Sequence, residues 1–235
     1  MARSPLSLQL RNSWPLEFAL MKRADRGFSL IELIIVMVIL LIIAAIAVPN
    51  IQRVVRNYRL EAAGHGVAGL LQQARMRGVQ NNAPAYAIFD NTNSPNIAFV
   101  NSDPAVTNYV AGNPDVALSS ALNIVTVQGA GVPDHGQLDS YLGVTGGAGS
   151  AKVQASNVVG FNARGLPCVE GAAGPVVCRQ QDTTGALPVF EWFITDGIGG
   201  WEAVTVTAAG RTKAWRLTQT GAGSSSICGY QTCWQ

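Results

Sequence analysis

Charge is scarce in this sequence. Charged residues make up 13% of it and aromatic residues 7%; a soluble domain usually carries about a quarter charged residues. The net charge of +2 is too small to argue by itself for a nucleic-acid partner. Motifs that carry chemistry are missing. The glycine-rich stretch from Gly143 to Lys152 never forms the Gly-Lys-Ser/Thr step of a phosphate loop, and no Gly-x-Ser-x-Gly nucleophile elbow occurs. The two histidines, His65 and His135, read as surface or cap residues rather than ligands. The acids are scattered singly, without a paired-carboxylate pattern. The chain therefore reads as non-enzymatic, with no metal and no cofactor expected.

Apolar residues are plentiful, at 48%. One segment dominates. From Ser29 to Val48 the only charge is Glu32. A helix of that length spans roughly 30 Å, the hydrocarbon thickness of a bilayer. The run exceeds the 7–15 residues of a secretory h-region, and it leads into Val48-Pro49-Asn50 rather than a small-x-small cleavage site. It is apolar on every face, and the sequence offers no second such helix to bury it. It reads as a membrane span.

The residues around the start of this run are Arg26-Gly27-Phe28-Ser29-Leu30-Ile31-Glu32-Leu33, preceded by Lys22 and Arg23. This pattern resembles the N-terminal signal of type IV pilins and type II secretion pseudopilins. The resemblance covers the leader through Pro49. It implies that a prepilin peptidase cuts between Gly27 and Phe28 and that Phe28 is then N-methylated. Gly27 leaves the cut site open, with no Cβ in the way. A carboxylate inside a membrane costs about 2.5–3.5 kcal/mol on insertion scales. The resemblance implies that Glu32 offsets this by pairing with the freed amine of Phe28, on its own chain or on a neighbour during assembly. The alternative is that Glu32 snorkels to the interface, only about one helical turn from Phe28. Met21 would start a shorter leader, Met21 to Gly27, more typical of the family.

Charge counting does not orient the span. Lys22, Arg23 and Arg26 flank one side and Arg53, Arg56 and Arg59 the other. The resemblance implies a leader in the cytoplasm, a single pass through the bacterial inner membrane and a head in the periplasm.

At 235 residues the chain has room for one domain plus extensions, or for two small domains. Leader (1–27), membrane helix (28–49), amphipathic helix (50–82) and a β-rich head (83–235) are the expected divisions. The apolar positions Ile51, Val54, Val55, Tyr58 and Ala62 recur at helical spacing, as do Val67, Leu70, Leu71 and Ala74. Gly64, Gly66 and Gly69 weaken that helix unless they allow close packing or a bend. Expected strands are Ala85–Phe89, Ile97–Val100, Ile124–Val127, Val158–Phe161, Val176–Cys178, Phe190–Thr195, Ala203–Thr207 and Lys213–Leu217, the last two forming a hairpin through Ala208-Ala209-Gly210. Residues 101–156 read as a variable surface loop with one or two strands. The fold class is thus α+β, a long N-terminal helix packed on an antiparallel head. Tyr86-Ala87-Ile88-Phe89, Phe161-Asn162-Ala163-Arg164-Gly165 and Gly210-Arg211 more loosely resemble the GspH/FimT branch of pilins. That branch implies two antiparallel sheets against the C-terminal half of the helix.

Four cysteines, Cys168, Cys178, Cys228 and Cys233, lie in the last third. An even number in an extracytoplasmic head favours disulfides. Local pairing, Cys168 with Cys178 and Cys228 with Cys233, is favoured over the other connectivities. The rival, a four-thiolate zinc site, lacks a Cys-x-x-Cys knuckle.

Three functions follow as expectations. The first is a minor pilin or pseudopilin in a type IV pilus or type II secretion filament, with membrane, prepilin peptidase and other pilins as partners. The second is DNA capture. Some FimT-like pilins bind DNA through Gly-Arg-x-Arg; here Gly210-Arg211-Thr212-Lys213 stands, with Arg216, Trp215 and Trp201 near it. On a strand Arg211 and Lys213 point to one side, but Lys lacks the bidentate phosphate contact of Arg. Three such contacts give only weak, salt-sensitive binding. The plainer reading is the polar face of a hairpin. The third is a periplasmic substrate adaptor.

Overall fold

The computed structural model describes residues 29–90, 96–106, 108–109, 111–118, 122–126, 131–144, 150–170, 178–182, 184–220 and 232–235. Helix α1 runs from Leu30 to Gln80. The chain divides into two units between Val48 and Pro49. In the first unit the helix is long and apolar enough to cross a membrane, and its large side chains from Leu30 to Val48 are exposed. The expected leader and Phe28 lie outside the described residues. Pro49 stands inside the helix. It cannot donate to the ladder, so one backbone hydrogen bond is lost at that point.

The second unit holds the head. Its first sheet is built from β1 (Ala85–Asp90), β2 (Ile97–Asn101), β3 (Asp115–Ala117), β6 (Val158–Phe161), β7 (Pro167–Glu170) and β8 (Cys178–Arg179), in the order β3-β2-β1-β6-β7-β8. The second contains β4 (Asn123–Thr126), β9 (Leu187–Thr195), β10 (Trp201–Val206), β11 (Thr212–Thr220) and β12 (Thr232–Trp234), in the order β12-β11-β10-β9-β4. β9 is long enough to pair twice on its outer edge: antiparallel to β4 at Trp192–Thr195, and parallel to β5 (Ala151–Gln154) at Leu187–Phe190. Apart from that one parallel pair, the described ladders are antiparallel.

Alternation along the strands explains the layers. Phe190, Trp192 and Ile194 of β9, with Val204 and Val206 of β10, join Leu60, Ala63, Val67, Leu70, Leu71 and Ala74 of α1 in one core. Ala87, Phe89, Val159 and Phe161 enter the same core from the first sheet. The intervening residues face the other way. On the second sheet, Val189, Phe193, Ala203 and Trp215 point away from α1. Helix α2 (Gly136–Leu142) covers them with Leu138 and Leu142.

Residues 101–156 differ from the loop expected. They contain β3, β4, α2 and β5. Helix α2 has only two buried leucines, and β3 has three residues, too few for a period to register. In α1 the second apolar stripe is buried, but Ile51, Val54, Val55 and Tyr58 are exposed. Helical spacing at these residues marks a face that the head does not cover.

Candidate functional site

Glu32 lies in the first turn of α1. In the second unit Ile51, Val54, Val55 and Tyr58 are exposed, Tyr58 to 72%. From Leu60 onward the same helix is held by the head.

Two close approaches fix that grip. A Cβ on Gly78 would lie 2.9 Å from the carbonyl oxygen of Asn162 and 3.1 Å from that of Phe161. Glycine lets the helix meet the backbone of the first sheet there. A Cβ on Gly64 would lie 2.7 Å from Glu202 Oε2. Gly64 thus makes room for a carboxylate that is almost fully buried. Burial raises the Glu202 carboxyl most; Arg216 lowers it and Glu61 raises it, leaving it at about 7. Arg216 Nη1 donates to Glu61 Oε2 at 3.5 Å.

The short motifs behind the looser resemblance converge near the end of α1. Arg75 Nε donates to the Gly165 carbonyl at 3.0 Å. Asn162 Oδ1 accepts from the Arg164 and Leu166 amides, closing the turn that presents this carbonyl. Gly210 has φ +75°, and a Cβ there would collide with the same Gly165 oxygen. The β10–β11 hairpin forms as expected, with Val206 opposite Thr212 and Gly210 in its turn.

The basic residues of that hairpin do not form one patch. Lys213 Nζ sits 3.4 Å from the centroid of the Trp215 ring and 5.7 Å from that of Tyr141 on α2. Trp215 is buried, and its Nε1 donates to Thr205 Oγ1 at 2.9 Å. Its ring is therefore not free to stack on a base. Arg216 lies on the opposite face, against Glu61. It lines an open groove with Arg53, Arg56, Asp196 and Trp201. Arg211 is exposed at the turn. Strand alternation sends Lys213 and Arg216, both named as DNA-binding candidates, to opposite sides of the sheet.

Cys168 is bonded to Cys178, the local pairing expected, and ties β7 to β8. Cys233 is also disulfide-bonded; Cys228 lies outside the described residues. The disulfide at Cys168–Cys178 removes two of the thiolates that a four-cysteine zinc site would need.

Sequence reasoning missed one residue. Glu191 sits inside the apolar strand Pro188-Val189-Phe190-Glu191-Trp192-Phe193 and is fully buried. Burial, and secondarily Asp139, push its carboxyl up to about 8. An acid interrupting six otherwise apolar strand positions was the available signal. The acids expected to stand singly do not all do so, since Asp139 and Glu191 approach each other together with His135.

Residues 22–48 match the family model for the prokaryotic N-terminal methylation motif. The family shown is that of the motif alone, over these residues. The motif takes in Lys22, Arg23 and Arg26, the Gly27–Phe28 step, Glu32 and the apolar run through Val48. No curated protein matches the sequence. Among solved structures, the Pseudomonas aeruginosa type IV minor pilin FimU is similar in two crystal forms, each 12% identical. The alignments cover 67% and 66% of this chain and 89% and 91% of FimU, with TM-scores of 0.40 and 0.38. At these scores the likeness transfers no residue role to this chain.

Proposed function

We propose that this chain is a non-enzymatic minor pilin or pseudopilin of the GspH/FimT branch, an assembly subunit of a type IV pilus or a type II secretion filament. In this reading a prepilin peptidase cleaves between Gly27 and Phe28, Phe28 is N-methylated, and the head stands on the periplasmic side of the inner membrane. The observation that carries the reading is the uncovered apolar surface of α1. Large apolar side chains are exposed from Leu30 to Val48 in the first unit and at Ile51, Val54, Val55 and Tyr58 in the second, while the methylation motif ends at Val48. A membrane accounts for the first part. The exposed Ile51, Val54, Val55 and Tyr58 extend beyond it, and an exposed apolar patch of that kind marks a surface for a partner. Helices of neighbouring subunits would bury it.

Glu32 supplies the register in this proposal. An uncompensated carboxylate in the bilayer costs about 2.5–3.5 kcal/mol, and pairing with the amine of Phe28 on a neighbour removes that cost only in the correct stagger. The test is to follow Glu32→Leu and wild type by membrane fractionation and by co-purification with sheared filaments. The variant should insert as well as wild type and be depleted from filaments. Equal incorporation of both would contradict the role given to Glu32. The separation of Lys213 from Arg216 gives the DNA-capture alternative no specific support.

A further inference from the structure

The carboxylate of Glu191 has no counterpart in a filament subunit's duties, and its surroundings are unusual. The residue is 0% exposed, and neither carboxylate oxygen has a hydrogen-bond partner among the described residues. Across β10 its neighbour is Thr205, whose hydroxyl is engaged by Trp215. On either side along the strand lie Val189 and Phe193, packed under α2. A buried carboxylate left without donors is costly. A proton or a cation must neutralise it.

What approaches the carboxylate oxygens is the start of α2. His135 holds the N-cap position without making a side-chain cap bond. Its Nδ1 lies 3.7 Å from Asp139 Oδ2, one turn on, and both side chains are about 30% exposed. One ligand atom each from His135, Asp139 and Glu191 all lie within 4.8 Å of one another. Helix α2 is itself fixed over the sheet. Gln137 exchanges two hydrogen bonds with the backbone of Trp234, at 2.7 and 3.0 Å, and Trp234 Nε1 donates to the Asp134 carbonyl at 3.1 Å. The three candidate ligands therefore stand on two elements whose separation is already set.

We propose that His135, Asp139 and Glu191 bind a divalent transition-metal ion, zinc(II) foremost, which pins α2 to β9. The donor set selects the metal class. One imidazole nitrogen with two carboxylates suits zinc, whereas calcium takes six to eight oxygens. Zinc bonds of about 2.0–2.2 Å in a tetrahedron put ligand atoms roughly 3.3 Å apart. The partly exposed side chains of His135 and Asp139 can close the remaining distance while Glu191 stays in place. Three protein ligands leave a fourth position for water on the exposed side. The ion's charge would offset the two carboxylates, including the one that nothing else compensates. No thiol is needed, because Cys168, Cys178 and Cys233 are all in disulfides.

The test uses the full chain in detergent, metal-stripped and unreduced. It is titrated with zinc chloride against a chromophoric chelator, and its melting is followed with and without the ion. The expected result is one ion per chain and a higher melting temperature with zinc, as any ligand of the folded state must give. His135→Ala and Glu191→Gln should each weaken binding at least about tenfold, the loss that even outer-shell partners produce. His65→Ala should bind as wild type. Metal-free Glu191→Gln should melt no lower than metal-free wild type, since the amide keeps the shape and carries no charge to bury. No stoichiometric binding by wild type would overturn the site and leave a proton as the companion of Glu191. Binding indifferent to both His135→Ala and Glu191→Gln, or lost in His65→Ala, would place the ion elsewhere and overturn it equally.

Discussion

Gly64 and Gly78 look alike in the sequence, yet they meet different neighbours. Gly78 faces backbone oxygens, which cannot move without shifting the sheet. Gly64 faces the end of the Glu202 side chain, which can rotate. Each change to Ala gains about 1 kcal/mol of helix propensity. For Gly78→Ala, overpacking of about 1–3 kcal/mol exceeds that gain. Denaturant unfolding should therefore show Gly78→Ala destabilised and Gly64→Ala nearer to wild type. Leu71 is 1% exposed in the core under α1, and Leu71→Ala should lose about 2–5 kcal/mol in the same assay. Glu202 makes stability depend on pH. Its folded-state pKa, about 7, lies above the ordinary 4.5, so the folded chain binds the proton more tightly. Its contribution is full below about pH 4.5 and is lost as pH rises through about 7. Glu202→Gln should flatten that decline, and thermal melts at pH 5 and pH 8 would measure it. An equal loss from pH 5 to pH 8 in both proteins would contradict this assignment.

At the scale of elements, α1 serves two purposes along one helix. Leu60, Val67, Leu70 and Leu71 hold the head, and the large apolar residues before them are exposed. Tyr58→Glu should accordingly change unfolding of the head by no more than about 0.5 kcal/mol. In the proposed assembly it should reduce recovery in filaments. Loss of head stability in Tyr58→Glu would mean that the face is packed after all. This division explains what the sequence made legible. Periodicity announced both apolar stripes of α1, but not which partner each one faces. Strands with four or more apolar or β-branched residues, such as β1, β9 and β10, were readable from alternation and turn residues. Helix α2, β3, β5, β7 and β12 were not, because two turns of helix or three strand residues carry too few repeats of either period, and β5 and β7 each hold only one β-branched residue. Glu191 was invisible as a site because its companions, His135 and Asp139, stand more than fifty positions earlier. Only the packing of α2 on β9 brings them together.

At the scale of the whole molecule, an N-terminus with a methylation motif is joined to a two-sheet head closed by a disulfide between Cys168 and Cys178. The central claim is that this N-terminus is processed and that the apolar helix then enters a filament. The most direct test is the intact mass and N-terminal sequence of the protein taken from membranes of a host with and without its prepilin peptidase. The account predicts a mature chain beginning at N-methylated Phe28 in the first host and an unprocessed chain in the second. The same unprocessed chain in both hosts would contradict it and leave a single-pass membrane protein whose Glu32 needs another partner.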